Sequence, residues 1–506
     1  MLENLKYFLK HSIIYSISNV ATKAIGVVLL PLYSSFLTLT EFGVLGILEI
    51  TISIFTEVVN LGLGPALVML NNLKENAGKR KSILFTIFTS SLLICAAFVV
   101  LGLGVIPFVA GYFGDPEKFK FYFYLCLAII SLRVLNNIFT DKLRADEKAV
   151  VFTGVSLFRL IITLGLTIYF VAFLKIGVLG VLYSYTIGET LTILVLLPLI
   201  TFQMSPHFDK EIFSTSIKFG VPLIFGSIAM MVLNVSDRYI LKYYSNYAVL
   251  GLYDLGYRVA GVMNMFFIMP ISLALMPIAY KVYNREGDKR YFSKLMTYLT
   301  FILVWGGLAL SLFSEEIIKL FALNPAYWPA YKVVPIVIFS YVFFGMRLVS
   351  SLGMYLTQNT KHVAYITIAA AAFNVILNFI FVPKYGMMAA AYSTLAAFVF
   401  LYILSDIFSG KYYKIPFENI KLFKMIIAGT IFYMISFLFP ANILINILLK
   451  LFLILAYPFV LYLLKFYDAI ELERLNGFYI KWKNPLDWKQ NLFEVFKKKE
   501  SDNSGN

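Results

Sequence analysis

Phe42-Gly43-Val44-Leu45-Gly46-Ile47-Leu48-Glu49-Ile50-Thr51-Ile52-Ser53-Ile54-Phe55-Thr56-Glu57-Val58-Val59-Asn60 is an apolar run that carries two glutamates. About 20 such residues cross a bilayer as a helix. At 100° per residue, Glu49, Ser53, Glu57 and Asn60 share one face about 80° wide, so the helix has a wet stripe on an apolar body. Runs of similar length start near Ser12, Phe42, Ile83, Phe121, Val150, Gly177, Phe219, Val249, Leu295, Val333, Val363, Met387, Leu422 and Ile443. The chain is 60% hydrophobic and 14% charged, with mean hydropathy +0.81. A soluble domain could not hide that much apolar surface. The fold class is an all-α polytopic membrane protein with about 14 transmembrane helices. The opening MLENLKYFLKHS runs directly into the first span, which is therefore expected to be retained.

The quoted run has an echo. Val44-Leu45-Gly46-Ile47-Leu48-Glu49 matches Val249-Leu250-Gly251-Leu252-Tyr253-Asp254. Lys175-Ile176-Gly177 with Tyr183-Ser184 matches Lys384-Tyr385-Gly386 with Tyr392-Ser393. Span 2 then corresponds to span 8 and span 6 to span 12. An offset of six spans preserves orientation, so the repeats are parallel. The expectation is two parallel six-helix lobes, spans 1–6 and 7–12, around a central cavity, with spans 13 and 14 outside the repeat. In residue numbers these are an N-terminal lobe 1–200, a cytoplasmic linker 201–218, a C-terminal lobe 219–407, an extra helix pair 408–466 and a basic tail 467–506.

Eleven charged residues interrupt the spans: Lys23, Glu49, Glu57, Arg133, Arg159, Glu189, Asp237, Arg238, Asp254, Arg258 and Arg347. A charge at mid-membrane costs roughly 2.5–3.5 kcal/mol facing lipid, so these must turn inward. Pairing among them is the ordinary outcome: Lys23 with Glu49 or Glu57, and Asp237 or Asp254 with Arg238 or Arg258. Six cations face five acids, however, and Arg133, Arg159 and Arg347 have no acid on their own spans. Polar stripes also run through Ser156, Arg159, Thr163 and Thr167, through Arg133, Asn136, Asn137 and Thr140, and through Thr367, Asn374 and Asn378. A cavity with surplus Lys and Arg is a receptor for anions, and the guanidinium fork suits phosphate. Lys23, Arg159 and Arg258 are the foremost candidate contacts, with Arg347, Arg133, Asn374 and Asn378 behind them. Glu49, Glu57, Glu189, Asp237 and Asp254 are counterions or ion-coupling groups. Tyr253 and Tyr257 could stack on sugar rings.

Basic residues outside the spans divide 29 to 8 between alternate sides. This predicts that both termini are cytoplasmic. It also accounts for most of the net charge of +15 without nucleic acid. Trp482, Trp488 and Phe493 among tail lysines suggest a segment lying on anionic lipid. Cys95 and Cys126 read as small buried apolar residues. No metal-ligand spacing, phosphate-binding loop or nucleophile elbow occurs, so no cofactor is expected and the chain reads as a transporter rather than an enzyme. Coupling to protons or sodium stays open.

Several short segments, taken in order, resemble one family. They are Phe36-Leu37-Thr38-Leu39-Thr40-Glu41-Phe42-Gly43, Ser236-Asp237-Arg238-Tyr239-Ile240, Tyr327-Trp328-Pro329-Ala330, Thr360-Lys361 and Val382-Pro383-Lys384-Tyr385-Gly386. The set is similar to the polysaccharide-transport (Wzx-type) flippases of the multidrug/oligosaccharidyl-lipid/polysaccharide exporter superfamily. The resemblance implies movement of undecaprenyl-pyrophosphate-linked oligosaccharide across the bacterial cytoplasmic membrane by alternating access, for O-antigen or similar glycan. It implies membrane lipids and a glycan polymerase complex as further partners. It places the family's cationic cavity residues at Lys23, Arg159, Arg258 and Arg347. A lipid II flippase or a cation-coupled multidrug exporter of the same superfamily is the alternative, and a scaffold subunit of a glycan-synthesis complex is a third.

Overall fold

A computed structural model describes residues 26, 28–440, 442–469 and 471–473. Lys23 and most of the first expected span lie outside the described residues, as do the tail aromatics Trp482, Trp488 and Phe493. The described chain is helical: α1 Leu30–Phe36, α2 Leu39–Asn60, α3 Leu63–Asn72, α4 Arg80–Phe113, α5 Pro116–Ala145, α6 Ala149–Ile168, α7 Val178–Thr201, α8 Lys210–Tyr244, α9 Tyr247–Met263, α10 Met269–Val282, α11 Asp288–Leu312, α12 Ser314–Phe321, α13 Val334–Ser350, α14 Leu352–Leu356, α15 Lys361–Tyr412, α16 Asn419–Ile435 and α17 Ile443–Leu463.

Among the described residues, twelve helices are long and apolar enough to cross a membrane. The expected count was fourteen, and two facts account for the difference. The span starting near Ser12 falls largely outside the described residues. The spans starting near Val363 and Met387 share the label α15 but are two helices that meet at a non-helical break at Gly386 (φ 56°, ψ −135°). Gly177, its partner in the repeat, sits before α7 with φ 61° and ψ −135°. A Cβ is strained in this region of φ/ψ space, so glycine at both places is a backbone requirement. The repeat is thus visible in conformation as well as in sequence.

Local chemistry sets the helix ends. Thr38 and Glu41 form a capping box at the start of α2: Glu41 N–H donates to Thr38 Oγ1 at 3.2 Å, and Thr38 N–H donates to Glu41 Oε2 at 2.9 Å. Asp115, Asp209 and Asn246 cap α5, α8 and α9 through their side chains. Within the N-terminal lobe, Leu63, Leu67, Ile83, Ile87, Ile138, Phe139, Leu196 and Ile200 make a buried core. In the C-terminal lobe, Leu233, Met354, Ile366, Ala370, Ala397, Phe398 and Leu401 do the same. Large apolar side chains such as Phe108, Tyr112, Phe202 and Phe225 point outward, as a lipid-facing surface requires.

Two compact units result, Met1–Phe417 and Glu418–Asn506. Both repeat lobes fall in the first, and α16 and α17 form the second. There Tyr457 Oη donates to the Met425 carbonyl at 3.0 Å, and Lys421 Nζ reaches Asp468 at 2.5 Å.

The lobes of the first unit meet along α2 and α9, the pair that carries the first repeat motif. A Cβ on Gly43 would lie 2.0 Å from the Tyr247 carbonyl oxygen, and one on Gly251 would lie 2.5 Å from that of Leu39. Backbone meets backbone here because both residues lack side chains. Nearby, Tyr327 is fully buried and its hydroxyl donates to the Leu37 carbonyl at 2.9 Å. Ser34 donates to the Phe321 carbonyl at 3.3 Å and accepts from Leu323 N–H at 3.2 Å. The N-terminal ends of α2 and α9 are therefore closed against each other. From the charge distribution this end is expected to be the outer one.

Candidate functional site

Midway along α2, α5, α6, α7 and α9 lies a cavity of about 550 Å³. Its wall includes Tyr33, Glu49, Ser53, Arg133, Asn137, Ser156, Arg159, Thr163, Tyr185, Glu189 and Arg258. The volume is in the range of small-molecule sites, and the lining is far more polar than a packed helix bundle. The stripes read from spans 2, 4 and 5 converge here, which follows from the i, i+3, i+4 spacing of Glu49 and Ser53, and of Ser156, Arg159 and Thr163.

Two charge clusters face this space. The first belongs to the N-terminal lobe. Arg133 Nε donates to Glu189 Oε1 at 2.9 Å, Arg159 Nη1 lies 3.5 Å from Glu189 Oε2, and Asn136 Nδ2 donates to Glu189 Oε2 at 2.7 Å. Two guanidinium groups share one carboxylate, so one positive charge is left over. The Glu189 side chain is 6% exposed, whereas those of Arg133 and Arg159 are 27% and 26% exposed. The acid is sequestered and the cations face the cavity. At the position related to Glu189 by the repeat stands Phe398, fully buried in the apolar core. The C-terminal lobe has no copy of this acid.

The second cluster sits where the lobes meet. Asp254 Oδ1 accepts from Arg238 Nε at 3.1 Å and Asp254 Oδ2 from Arg258 Nε at 2.7 Å. Arg258 Nη2 donates to Glu49 Oε2 at 2.5 Å, crossing from α9 to α2. Arg238 also pairs with Asp237 at 3.0 Å. Asp237 in turn accepts from the Tyr253 hydroxyl and, at 3.3 Å, from Thr394. Here three carboxylates meet two guanidinium groups. Arg258, a foremost candidate contact from sequence, lines the cavity with its Nε and Nη2 on two acids, while Arg133 and Arg159 carry the surplus charge.

The remaining sequence candidates fall elsewhere. Arg347 is 9% exposed on α13 and does not line the cavity, and its Nε has no hydrogen-bond partner among the described residues. Asn374 and Asn378 are fully buried between α8 and α15, where Asn378 Nδ2 donates to Asn374 Oδ1 at 3.0 Å and Ser236 donates to the same oxygen at 3.2 Å. They join helices rather than line the cavity. Glu57 is exposed on α2 and does not line the cavity. Tyr253 and Tyr257 are buried and pack their rings on Arg238, at 5.4 and 4.0 Å from its guanidinium carbon. They are not free to stack on sugars, because burying Arg238 requires the aromatic shell.

Tyr185 was not singled out from sequence. Its hydroxyl donates to Glu49 Oε1 at 2.5 Å, and its ring carries the Arg133 guanidinium at 5.2 Å. It touches both clusters. No group of three or more His, Cys, Asp and Glu side chains suited to a metal ion occurs among the described residues.

The sequence profile of a polysaccharide biosynthesis protein family matches residues 8–282, more than half of the chain. The chain belongs to the polysaccharide biosynthesis protein family. The profile of the MatE family matches residues 222–380 of this polysaccharide biosynthesis family member. The fold is shared with lipid II flippase MurJ in its inward closed conformation, at TM-score 0.73 and 19% identity, over 89% of this chain and 99% of that one. It is also shared with an inward-facing multidrug resistance MATE transporter of the MOP superfamily, at TM-score 0.63 and 14% identity, over 77% and 94% of the two chains. An uncharacterized membrane protein of Methanocaldococcus jannaschii, MJ1068, is 23% identical over 408 residues, 75% of this chain and 78% of that one.

Proposed function

We propose that this member of the family is a flippase that carries a polyprenyl-diphosphate-linked oligosaccharide from one leaflet to the other by alternating access of its two lobes. The observation that carries the reading is the sharing of Glu189 by Arg133 and Arg159, which leaves a positive charge facing a mid-membrane cavity. A unit-charge pair at 4 Å is worth about 4 kcal/mol at the effective dielectric of partly buried sites. A dianionic diphosphate therefore has reason to settle on this wall. Sugar hydroxyls find Ser53, Asn137, Ser156 and Thr163 around it. Of the sequence candidates, Arg133 and Arg159 become the primary contacts, and Arg258 joins when a lobe moves. An undecaprenyl-linked surface glycan in a bacterial cytoplasmic membrane is the substrate and setting the family resemblance favours.

Glu49, Glu189, Asp237 and Asp254 act as counterions, each holding at least one arginine. Exposed Glu57 is the acid left to exchange a proton if transport is ion-coupled. The lipid II alternative draws on the fold shared with MurJ, and it uses the same diphosphate chemistry. The cation-exporter alternative would need the acids to outnumber the bases in the cavity wall. There, Arg133, Arg159 and Arg258 outnumber Glu49 and Glu189.

The test is ligand class. Purified protein in nanodiscs is titrated with farnesyl diphosphate, farnesol and ethidium. Binding of the diphosphate alone, weakened about tenfold or more by Arg159→Ala, supports the reading. Binding of ethidium in preference to the diphosphate overturns it.

A further inference from the structure

A route runs from the surplus charge to the contact between lobes. Arg133, which shares Glu189 with Arg159, rests on the ring of Tyr185. Tyr185 donates to Glu49 Oε1, and Glu49 Oε2 holds Arg258. Arg258 is anchored in its own lobe by Asp254 one turn earlier. Glu49 thus has two donors, one from each lobe, and its carboxylate bridges them. Glu49 and Asp254 are equivalent in the repeat, so a single arginine is held by both copies of one motif position.

We infer that Tyr185 is a positioning residue that couples anion occupancy of the cavity to release of the Glu49–Arg258 tie between the lobes. The inference rests on the anion reading of the cavity and adds its regulation. In the empty cavity the Tyr185 hydroxyl fixes Glu49 in the rotamer that reaches Arg258. A diphosphate arriving on the Arg133–Arg159 wall draws Arg133 off the tyrosine ring and offers the hydroxyl phosphate oxygens, which compete with the carboxylate. Glu49 then loses its positioning donor while a like charge enters beside it. Both changes disfavour the rotamer that meets Arg258. No proton need move, because the tyrosine O–H exchanges one acceptor for another.

Loss of the bridge leaves the lobes held by the Thr51–Tyr239 hydroxyl pair at 2.7 Å and, at their closed end, by the glycine contacts of α2 and α9, the hydroxyls of Tyr327 and Ser34, and Lys242 and Tyr247 on the Tyr112 and Phe113 carbonyls. A ligand can shift such a two-state equilibrium only through its differential contacts with the two states. The tyrosine supplies one: its hydroxyl is bound to Glu49 in the closed state and is free for the anion once the bridge breaks. The same arrangement keeps an empty cavity from cycling, since without an anion the bridge stays made.

The experiment measures the distance between lobes. Spin labels are placed at Phe173 and Leu320, which are 74% and 71% exposed and flank the closed end on opposite lobes. Cys95 and Cys126 are replaced by alanine. In the wild-type background, farnesyl diphosphate should raise the long-distance population about tenfold and farnesol should not. Tyr185→Phe should show the long distance without ligand and lose the response to farnesyl diphosphate. Glu49→Gln, which keeps the shape of the side chain, should behave alike and guards against misfolding of the tyrosine variant. A Tyr185→Phe protein that stays closed when empty and opens with farnesyl diphosphate like the wild type would overturn the inference. So would wild-type protein that binds farnesyl diphosphate with no change in distance, which leaves the anion reading standing. Wild-type protein that does not bind farnesyl diphosphate overturns both.

Discussion

Glu49 and Asp254, equivalent positions of an internal repeat, grip the same guanidinium: Arg258 Nη2 lies 2.5 Å from Glu49 and its Nε 2.7 Å from Asp254. Duplication placed an acid at the same depth on α2 and α9, and the glycines beside them let the two helices touch. A Cβ on Gly46 would lie 3.2 Å from the Asp254 carboxylate. The lobe junction is therefore a glycine contact and an ion bridge written twice by one motif.

Asp254 is the more structural of the two acids. Its side chain is 6% exposed and serves both Arg238 and Arg258. Asp254→Asn leaves two buried guanidinium groups short of an acid, a class of change that costs about 3–5 kcal/mol. Thermal unfolding followed by tryptophan fluorescence should show a large drop in Tm, or no folded protein. Glu49→Gln, with a side chain 21% exposed and partly screened, should cost much less.

Glu189 competes with the substrate for Arg133 and Arg159. Glu189→Gln removes that competition and preserves the shape. Titration with farnesyl diphosphate should show binding tightened about tenfold, equivalent to about 1.4 kcal/mol. Flipping should slow, because the anion is released less readily. Weaker binding in Glu189→Gln would mean that the acid organises the arginines rather than masking them.

Gly43 and Gly251 have no room for a methyl group. Gly251→Ala would press its Cβ into the Leu39 carbonyl, and overpacking of this kind costs about 1–3 kcal/mol. Spin-label distances across the closed end should lengthen in Gly251→Ala and in Gly43→Ala. Gly104, beside whose Cα a Cβ would meet nothing within 4 Å, is the control, and its alanine variant should leave both Tm and distances unchanged.

Gly177 and Gly386 share one backbone conformation, so each alanine variant should be destabilised by about 1–3 kcal/mol through backbone strain, and Gly177→Ala further because its Cβ would lie 2.7 Å from Glu41 Oε1 whereas that of Gly386 meets nothing within 4 Å. Unfolding of each variant in detergent would check this. A Gly386→Ala protein as stable as the wild type would mean that backbone strain does not require glycine there.

Much of this architecture is legible in the sequence. Spans announce themselves because lipid demands long apolar runs, and the repeat shows because two short motifs recur at nearly one offset. The spans starting near Val363 and Met387 are two helices, as expected, because Gly386 breaks the helical backbone between them. Part of each stripe in spans 2, 4 and 5 lines the cavity. The pairing of charges did not follow from sequence, because it depends on how far each helix turns toward its neighbours. Glu189 on α7 serves arginines on α5 and α6, and nothing in the spacing of any one helix discloses that. Asn374 and Asn378 lie on a polar stripe as well, but theirs is consumed between α8 and α15, and Arg347 is buried off the cavity with its Nε unpartnered among the described residues. Tyr185 escaped notice as one of 34 tyrosines, most of which suit a membrane interface. One signal was available: it sits one turn before Glu189 on the same helix face.

The most direct measurement is transport itself. Protein in liposomes is given fluorescent undecaprenyl-diphosphate-linked oligosaccharide, and the fraction reaching the opposite leaflet is read by accessibility to a membrane-impermeant quencher. Wild-type protein should flip the lipid. Arg159→Gln should slow it about tenfold or more with the fold intact, and Arg159→Lys should recover part of the rate, since charge persists without the fork. Wild-type protein that leaves this lipid in place, or Arg159→Gln that flips it at the wild-type rate, would contradict the account.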